Sequence, residues 1–464
     1  MKIVILGAGR VGASVAENLV SERNDITVID TDIDSLTALG EKLDLRTLVG
    51  NGTHPAVLRA ANIEDADMLI AAAAMDETNL VACRIAKQQF NVPLRIARVR
   101  SQEFVNHPEV TGDGGFCIDH VICPEQSVTQ AMVLLVEHPE ALQVIEFAEG
   151  KLSLVAVRAD GGPLVGRPIE DMRKHIPNVD ARIVAIFRNE RSVIPEGRTL
   201  IEAGDEVFCL AATRNIRKVL SELRPTGRPV RNIMIAGGGN IGLRLAQSLG
   251  KNYHVKIIDP NKKRCEYLAG ELPSALVLYG DATDGDLLGN EQIQDIDLFV
   301  ALTSDDEDNI MSTLLAKRMG ARRVIALINR KAYADLVQGG HIDIAIAPEQ
   351  ATLSELLAYV RRGDVVAVHS LRRGAAEAIE AIAHGDAKSS RVIGKKIEDI
   401  DLLSGKTPGV VIGAIVRGQG EAATVLMAHH DTVVEPEDHV IIFVANKKML
   451  SKVEKLFQVS AGFF

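Results

Sequence analysis

Tryptophan is absent from this chain and aromatic residues make up only 3% of it, so any core it buries must be aliphatic and alanine-rich. Such a composition suits parallel α/β layers, whose central strands read as runs of Val, Ile and Leu. No apolar run approaches the roughly 20 residues a membrane helix needs. The longest candidates, MLIAAAAM (68–75) and VVIGAIV (410–416), are strand-sized, so any membrane role must run through a partner. A basic surplus is missing too: the formal charge of −10 argues against a general nucleic-acid binder. The five cysteines (Cys83, Cys117, Cys123, Cys209 and Cys265) form no C-x-x-C pair, as expected of reduced small hydrophobes in a cytosolic protein. The chain starts directly on a strand-like run, Lys2 to Leu6, so no signal peptide is expected.

What the chain does have, it has twice. KIVILGAGRVGASVAENL near the N-terminus is followed by a segment ending in ITVIDTD; NIMIAGGGNIGLRLAQSL near the middle is followed by one ending in VKIIDPN. Each copy reads as a strand, a Gly-x-Gly-x-x-Gly turn, a helix and a second strand ending in an acid. Gly237 follows Gly7 by 230 residues (237 − 7), and Asp259 follows Asp30 by 229 (259 − 30). One such loop is a weak signal, whereas two in register point to a duplicated nucleotide-binding module.

The rest of the chain follows the same plan. Residues 1–137 alternate strand-like and helical patterns, as a doubly wound parallel sheet with helices on both faces does. Residues 139–223 turn to hairpins (LQVIEFAEGKLSLVAVRA, DARIVAIFRNERSVIP), a last strand, GDEVFCLAAT, and a closing helix, so a small α+β domain is expected. The polar, proline-containing stretch 224–229 is the best linker. Residues 230–361 then repeat the α/β pattern and 363–464 the hairpin domain. VGRPIEDM (165–172) matches IGKKIEDI (393–400), and GDEVFCLA (204–211) matches EDHVIIFV (437–444).

The turns carry the candidate chemistry. Gly7 permits the tight turn, Gly9 lets a pyrophosphate approach the backbone, and Gly12 lets the helix pack on the strand; Gly237, Gly239 and Gly242 repeat these roles. The helix that follows offers its N–H groups and positive end to an anion. Asp30 and Asp259 stand where a carboxylate accepts ribose hydroxyls and repels a 2′-phosphate. Asp30 is followed by acids, Asp259 by Lys262, Lys263 and Arg264. That basic run reads either as a solvated helix start or as tolerance of more phosphate charge at the second site. Gly50-Asn51-Gly52-Thr53 corresponds to Gly280-Asp281-Ala282-Thr283, turns that offer backbone and hydroxyl groups to adenine or ribose. The elements Asp76-Glu77-Thr78-Asn79 and Asp306-Glu307-Asp308-Asn309 read as helix caps or as ligand contacts. Arg98, Arg100 and Arg330 end fifth strands, either in reach of phosphates or exposed. The apolar helices 128–138 and 353–362 suit either a crossover or dimer role or packing on their own sheets. His429-His430-Asp431 reads as an exposed turn. The small domains offer no catalytic acid–base pair, and no metal-protease, nucleophile-elbow or P-loop signature occurs, so no enzymatic activity and no metal site are expected.

Taken together, GAGRVG with Asp30, GGGNIG with Asp259, GNGT with YGDAT, and the IEDM and IEDI segments resemble the TrkA family of cytosolic regulatory subunits of bacterial Trk-type potassium uptake systems. Their units are RCK (KTN) domains, each a Rossmann-like half followed by a small C-terminal half. The resemblance covers essentially the full length. It implies binding of NAD(H) and of ATP or ADP, assembly into a homo-oligomeric RCK ring (a dimer or tetramer), and a peripheral place on the cytoplasmic face of the inner membrane. There the ring would gate a membrane-embedded Trk-type potassium translocating subunit; nucleic acid is not among the implied partners. By position, Gly7, Ala8, Gly9, Arg10, Val11, Gly12 and Asp30 would line the first nucleotide site, with Asn51, Gly52, Thr53 and Arg98 completing it. Gly237, Gly238, Gly239, Asn240, Ile241, Gly242, Asp259, Asp281, Ala282 and Thr283 would line the second. A soluble NAD-dependent oxidoreductase and a regulator of another cation are the alternatives.

Overall fold

The computed structural model describes residues 1–20, 24–189, 191–193, 195–337, 340–360, 364–372, 376–400, 409–445 and 449–458. Parts of several expected elements fall outside these residues: the end of the first helix, one residue in the turn 188–191, positions 361–363 at the second domain boundary, and the first three residues of the helix expected over 446–456.

The first sheet holds β1 (Lys2–Leu6), β2 (Asp25–Asp30), β3 (Arg46–Val49), β4 (Met68–Ala71), β5 (Leu94–Arg98) and β6 (His120–Ile122) in the order β3-β2-β1-β4-β5-β6. Its pairings are parallel throughout. Right-handed crossovers lay helices on both faces of such a sheet, and Ile3, Val4, Ile5 and Leu6 of β1 are accordingly buried. The strand order reverses between β1 and β4, which opens a crevice at their C-terminal ends where ligands of such sheets bind.

A second sheet of the same design comprises β12 (Asn232–Ala236), β13 (His254–Asp259), β14 (Ala275–Tyr279), β15 (Leu298–Ala301), β16 (Arg323–Leu327) and β17 (Ile344–Ile346), ordered β14-β13-β12-β15-β16-β17.

Each α/β domain is followed by an antiparallel sheet. The first contains β7 (Ala141–Phe147), β8 (Leu152–Arg158), β9 (Ala181–Arg188), β10 (Arg191–Val193) and β11 (Glu206–Ala212), in the order β10-β9-β11-β8-β7. The second contains β18 (Val365–Leu371), β19 (Ala376–Ile382), β20 (Val410–Arg417), β21 (Thr424–Met427) and β22 (His439–Val444), in the order β18-β19-β22-β20-β21. The expected hairpins are the pairs β7–β8 and β9–β10. The IEDM and IEDI segments both form short 3₁₀ turns, tied by Ile169 N to Thr199 O and by Ile397 N to Thr432 O, each at 3.0 Å.

The two antiparallel sheets share one core, and there the scarce aromatics collect. Phe147, Phe187, Phe208 and Phe443 lie in a single buried cluster. Phe187 meets Phe208 edge-on at 5.7 Å, and Phe208 lies 6.5 Å from Phe443. Gly413 marks the closest approach, since a Cβ there would stand 2.1 Å from Leu210 and 3.1 Å from Val184.

Two compact bodies result. One gathers Met1–Ser127 with Pro348–Leu356, the other Val128–Ala347 with Leu357–Phe464. The helices Pro124–Glu137 and Pro348–Val360 are each divided between the two bodies, and the Pro348–Leu356 part of the second gathers with the first repeat. Within the first body, Ser127 Oγ donates to Glu355 Oε2 at 2.7 Å, joining the two helices. All five cysteines are free and buried, and desolvation pushes the Cys83 and Cys209 thiols up to about 12, which keeps them inert.

Candidate functional site

Of the three Gly-x-Gly-x-x-Gly motif glycines in each loop, two are required by the fold and one is not. Gly7 has φ +105°, and a Cβ there would stand 2.8 Å from the backbone of Ala72 and Ala73; Gly237 has φ +100° and meets Thr303 N at the same distance. Gly12 and Gly242 would drive a Cβ to 1.9 and 2.0 Å from the carbonyl oxygens of Gly7 and Gly237, so these glycines let the helix close onto the turn. Gly9 and Gly239 differ. Neither has a positive φ, and a Cβ on either would meet nothing within 4 Å. The space above them is open, at the start of the helices Arg10–Val20 and Asn240–Leu249. Leading amides of a helix have no intrahelical acceptor and suit an anion; those of Arg10, Val11 and Gly12, and of Asn240, Ile241 and Gly242, occupy these positions.

The acids at the ends of β2 and β13 brace the turns. Asp30 Oδ2 accepts from Ala8 N at 2.6 Å and Oδ1 from Asp32 N at 2.9 Å. Asp259 Oδ2 accepts from Gly238 N at 2.8 Å and Oδ1 from Asn261 N at 2.9 Å. Asp30 Oδ1 also accepts from the Thr31 hydroxyl at 3.5 Å, while Oδ2 of each acid keeps a second lone pair for a ribose hydroxyl.

The turns after the third strands are tied internally. Asn51 Oδ1 accepts from Thr53 N at 3.0 Å and from its hydroxyl at 2.8 Å. Asp281 does the same for Thr283, both at 2.8 Å, and these two bonds, the backbone one first, lower the Asp281 pKa. Gly52 and Ala282 face inward: a Cβ on Gly52 would stand 2.3 Å from Leu6, and Ala282 lies in the second domain's core. They shape the turn, and only their backbone is left for a ligand.

Asp76 and Asn79 do not cap their helix, which corrects that reading of the motif. The residue before the helix, Met75, makes no side-chain cap. Asp76 instead accepts the amides of Arg100 (3.0 and 2.9 Å) and Ser101 (2.8 Å). Asn79, fully buried, bonds Ala73 N and O and Arg98 O, so the pair locks the ends of β4 and β5 together. Asp306 and Asn309 repeat the brace on Asn329, Arg330, Thr303 and Leu327, while Asp305 supplies the cap. Asn79 and Asn309 are fold-determining residues that spacing alone did not separate from caps.

Outside the loop itself, one arginine lies beside each glycine loop, reaching it from opposite sides. Arg98 ends β5; its Nη1 donates to Ala73 O at 3.4 Å, beside the Gly7 turn, and its Nε is buried with no partner. Burial, then neighbouring Arg100, lowers its pKa. The residue in its place in the second repeat is Leu327, since Asn79 and Asn309 donate to the Arg98 and Leu327 carbonyls respectively. There the cation is Arg264, on the helix Lys262–Glu271. Its Nε donates to Gly238 O at 2.6 Å, its guanidinium stacks 4.8 Å from the Tyr267 ring centroid, and its Nη2 is buried with no partner. Arg264 was the residue hidden in the sequence: a basic run at a helix start looks solvated, yet one member folds back onto the glycine loop. Arg100 is held by Glu125 (2.6 Å) and Arg330 by Glu307 (2.8 Å), away from such a role. His429 and His430 are exposed in a turn, and no three-residue His/Cys/Asp/Glu group able to hold a metal occurs among the described residues.

The TrkA-N domain matches residues 3–124 and 233–348, and the TrkA-C domain matches 154–224 and 387–458. The chain belongs to the TrkA family. Relatives named "Trk system potassium uptake protein TrkA" from Halomonas elongata and Vibrio alginolyticus are 55% and 54% identical over the full length of both chains. Their names are those of uptake proteins, in line with a non-enzymatic role for this TrkA-family chain. Among solved structures, the GsuK RCK domain matches with a TM-score of 0.61 at 19% identity, covering 98% of this chain and 95% of that one. The structure titled "GsuK channel bound to NAD" matches at 0.58 and 19%, covering 98% and 79%. These likenesses show the fold: tandem RCK units, each a Rossmann-like sheet followed by an antiparallel one. No described helix is long and apolar enough to cross a membrane.

Proposed function

We propose that this chain is a peripheral, cytosolic regulatory subunit of a Trk-type potassium uptake system, with two nucleotide sensors read out by a membrane-embedded translocating subunit through a homo-oligomeric RCK ring. The observation that carries the nucleotide sites is the pair Gly9 and Gly239. The fold needs neither glycine, and both open the same space at a helix N-terminus, as a pyrophosphate requires. Asp30 and Asp259 favour NAD(H) or adenine nucleotides such as ATP and ADP over a 2′-phosphorylated ligand. The names of the relatives supply potassium uptake. A nucleotide regulates such a system only through unequal affinity for two conformations, and a coupling of about 1–3 kcal/mol shifts occupancy about 5- to 150-fold.

The two sites differ in charge. Asp30 is followed by exposed Asp32 and Asp34, and Ser35 stands where the second repeat carries Arg264. The unpartnered Nη2 of Arg264 gives the second site room for an additional phosphate on the ribose side of the loop. Calorimetric titration of the full chain with NADH, NAD⁺, ATP and ADP tests this; separated halves will not serve, because Pro348–Leu356 fold with the first repeat. Arg264→Gln should weaken the more highly charged ligand about 10-fold or more at the second site only, and Arg98→Gln should act at the first site only, as befits loss of one charge-assisted bond. Equal charge preferences at both sites would remove the distinction. Absence of binding by every nucleotide would sink the sensor.

A further inference from the structure

The linker 224–229 read as a spacer, but the structure holds it down. Its entry is fixed by Asp160 N donating to Leu223 O at 2.9 Å, and by Gly162, where a Cβ would stand 2.4 Å from the Leu223 carbonyl carbon. Further on, Gly227 N donates to Glu140 Oε1 at 3.0 Å. Beneath the linker lies a cavity of about 640 Å³, walled by the end of β8, the linker itself and the second Rossmann-like domain.

This wall is basic in a chain whose net charge is −10. Lys317 and Arg322 are paired with Asp343 at 2.7 Å and with Asp297 at 3.4 Å. Arg323 is committed to the carbonyls of Leu135 and Ala141. Arg158, on β8, and Arg224 and Arg228, on the linker, have no carboxylate partner among the described residues. Of the four carboxylates among the described lining residues, Asp343 and Asp297 are taken by Lys317 and Arg322, Glu140 holds Gly227, and Asp160 is exposed. Burial takes the Arg323 guanidinium down to about 10; Asp343 and Glu140 oppose this, and Arg224 and Arg322 add to it.

We propose that this cavity is an anion site, separate from both glycine loops, that takes a compact diphosphate. Guanidinium forks match phosphate oxygens two at a time, and three of them converge here from two elements. A diphosphate seated there bridges Arg158 to Arg224 and Arg228 and ties the linker to the strand end beside it. The site is a feature of the junction between repeats, so the duplication does not supply a second copy.

Calorimetric titration of the full chain with inorganic pyrophosphate tests this, beside Arg224→Gln/Arg228→Gln and, as a separate protein, Gly9→Ala/Gly239→Ala. The glycine variant, whose loops are blocked, is expected to keep one pyrophosphate site at the affinity the wild type shows there, and the arginine variant to bind at that site about 10-fold more weakly or worse. Because Arg228 is exposed, Arg228→Gln alone keeps the fold and should still weaken binding several-fold. Displacement of pyrophosphate by ADP in the glycine variant would place organic diphosphates in the same site; failure to displace it would confine the site to the inorganic ion. No binding by the wild type, binding unchanged in the arginine variants, or loss confined to the glycine variant would each overturn the proposal.

Discussion

Gly9→Ala will weaken nucleotide binding at the first loop about 10- to 100-fold and leave the protein folded. A methyl group there meets nothing in the protein, so its cost falls on the ligand, whose pyrophosphate must take that volume; overpacking of a close contact costs about 1–3 kcal/mol. The residue precedes a helix, and Gly to Ala at such a position costs the helix at most about 1 kcal/mol. Gly239→Ala should do the same to the second loop alone. Gly12→Ala is the contrasting control: its Cβ would stand 1.9 Å from the Gly7 carbonyl oxygen, so it should destabilise the domain by about 3 kcal/mol. Titration of each variant with NADH and ATP, with a thermal melt of the same samples, separates these outcomes. Ligand at 100 times its dissociation constant stabilises by about 2.7 kcal/mol, so each loop variant should also lose the ligand-induced rise in melting temperature that its own site provides. A Gly9→Ala protein that binds every nucleotide as the wild type does would show that the open space is not a phosphate site.

The glycine loops were legible in the sequence because their backbone geometry admits few residue types. Gly7 and Gly237 need a positive φ, Gly12 and Gly242 need a bare Cα, and the second strand must end in an acid to hold the amide of Ala8 or Gly238. The hairpin domains were legible for a related reason, since alternation and turn residues fix antiparallel pairing. Where one residue type serves several geometries, the sequence was ambiguous. An Asp at the start of a helix can cap it or reach the next loop, and Asp76 and Asp306 do the second. A basic residue at a helix start can be solvated or fold back, and Arg264 folds back. An apolar helix carries no mark of which sheet it covers, so the exchange of Pro348–Leu356 into the first body emerges only in three dimensions. Nor does any pattern show that Gly413 faces Val184 and Leu210 across the shared core.

That shared core makes a second large effect expected, from a matched pair of buried carboxylates. Asp205 and Asp438 are 1% and 0% exposed, and each takes a fork of two bonds from an arginine on a neighbouring strand. Arg188 reaches Asp205 through Nε and Nη2, both at 2.8 Å, and Arg417 reaches Asp438 at 2.8 and 2.9 Å. The same carboxylates accept the amides of Glu202 at 2.9 Å and Glu435 at 2.7 Å, so each fixes the turn before its own strand. Holding the carboxylate close raises the pKa of both arginines. Asp438→Ala removes three acceptor contacts at once and leaves the partly buried Arg417 guanidinium with only the Glu435 carboxylate and the Val433 carbonyl. Breaking such a pair costs about 3–5 kcal/mol, and because Arg417 retains some contact with water the lower figure, about 3 kcal/mol, is expected. Phe443 beside this strand packs with Phe208 of the other sheet, so the loss should spread: amide hydrogen exchange should rise in β9 and β11 as well as in β20 and β22. Asp205→Ala should produce the mirror result, and neither substitution should alter nucleotide affinity, because neither residue belongs to a glycine loop. Faster exchange confined to the mutated sheet would mean that the two small domains fold independently despite the core they share.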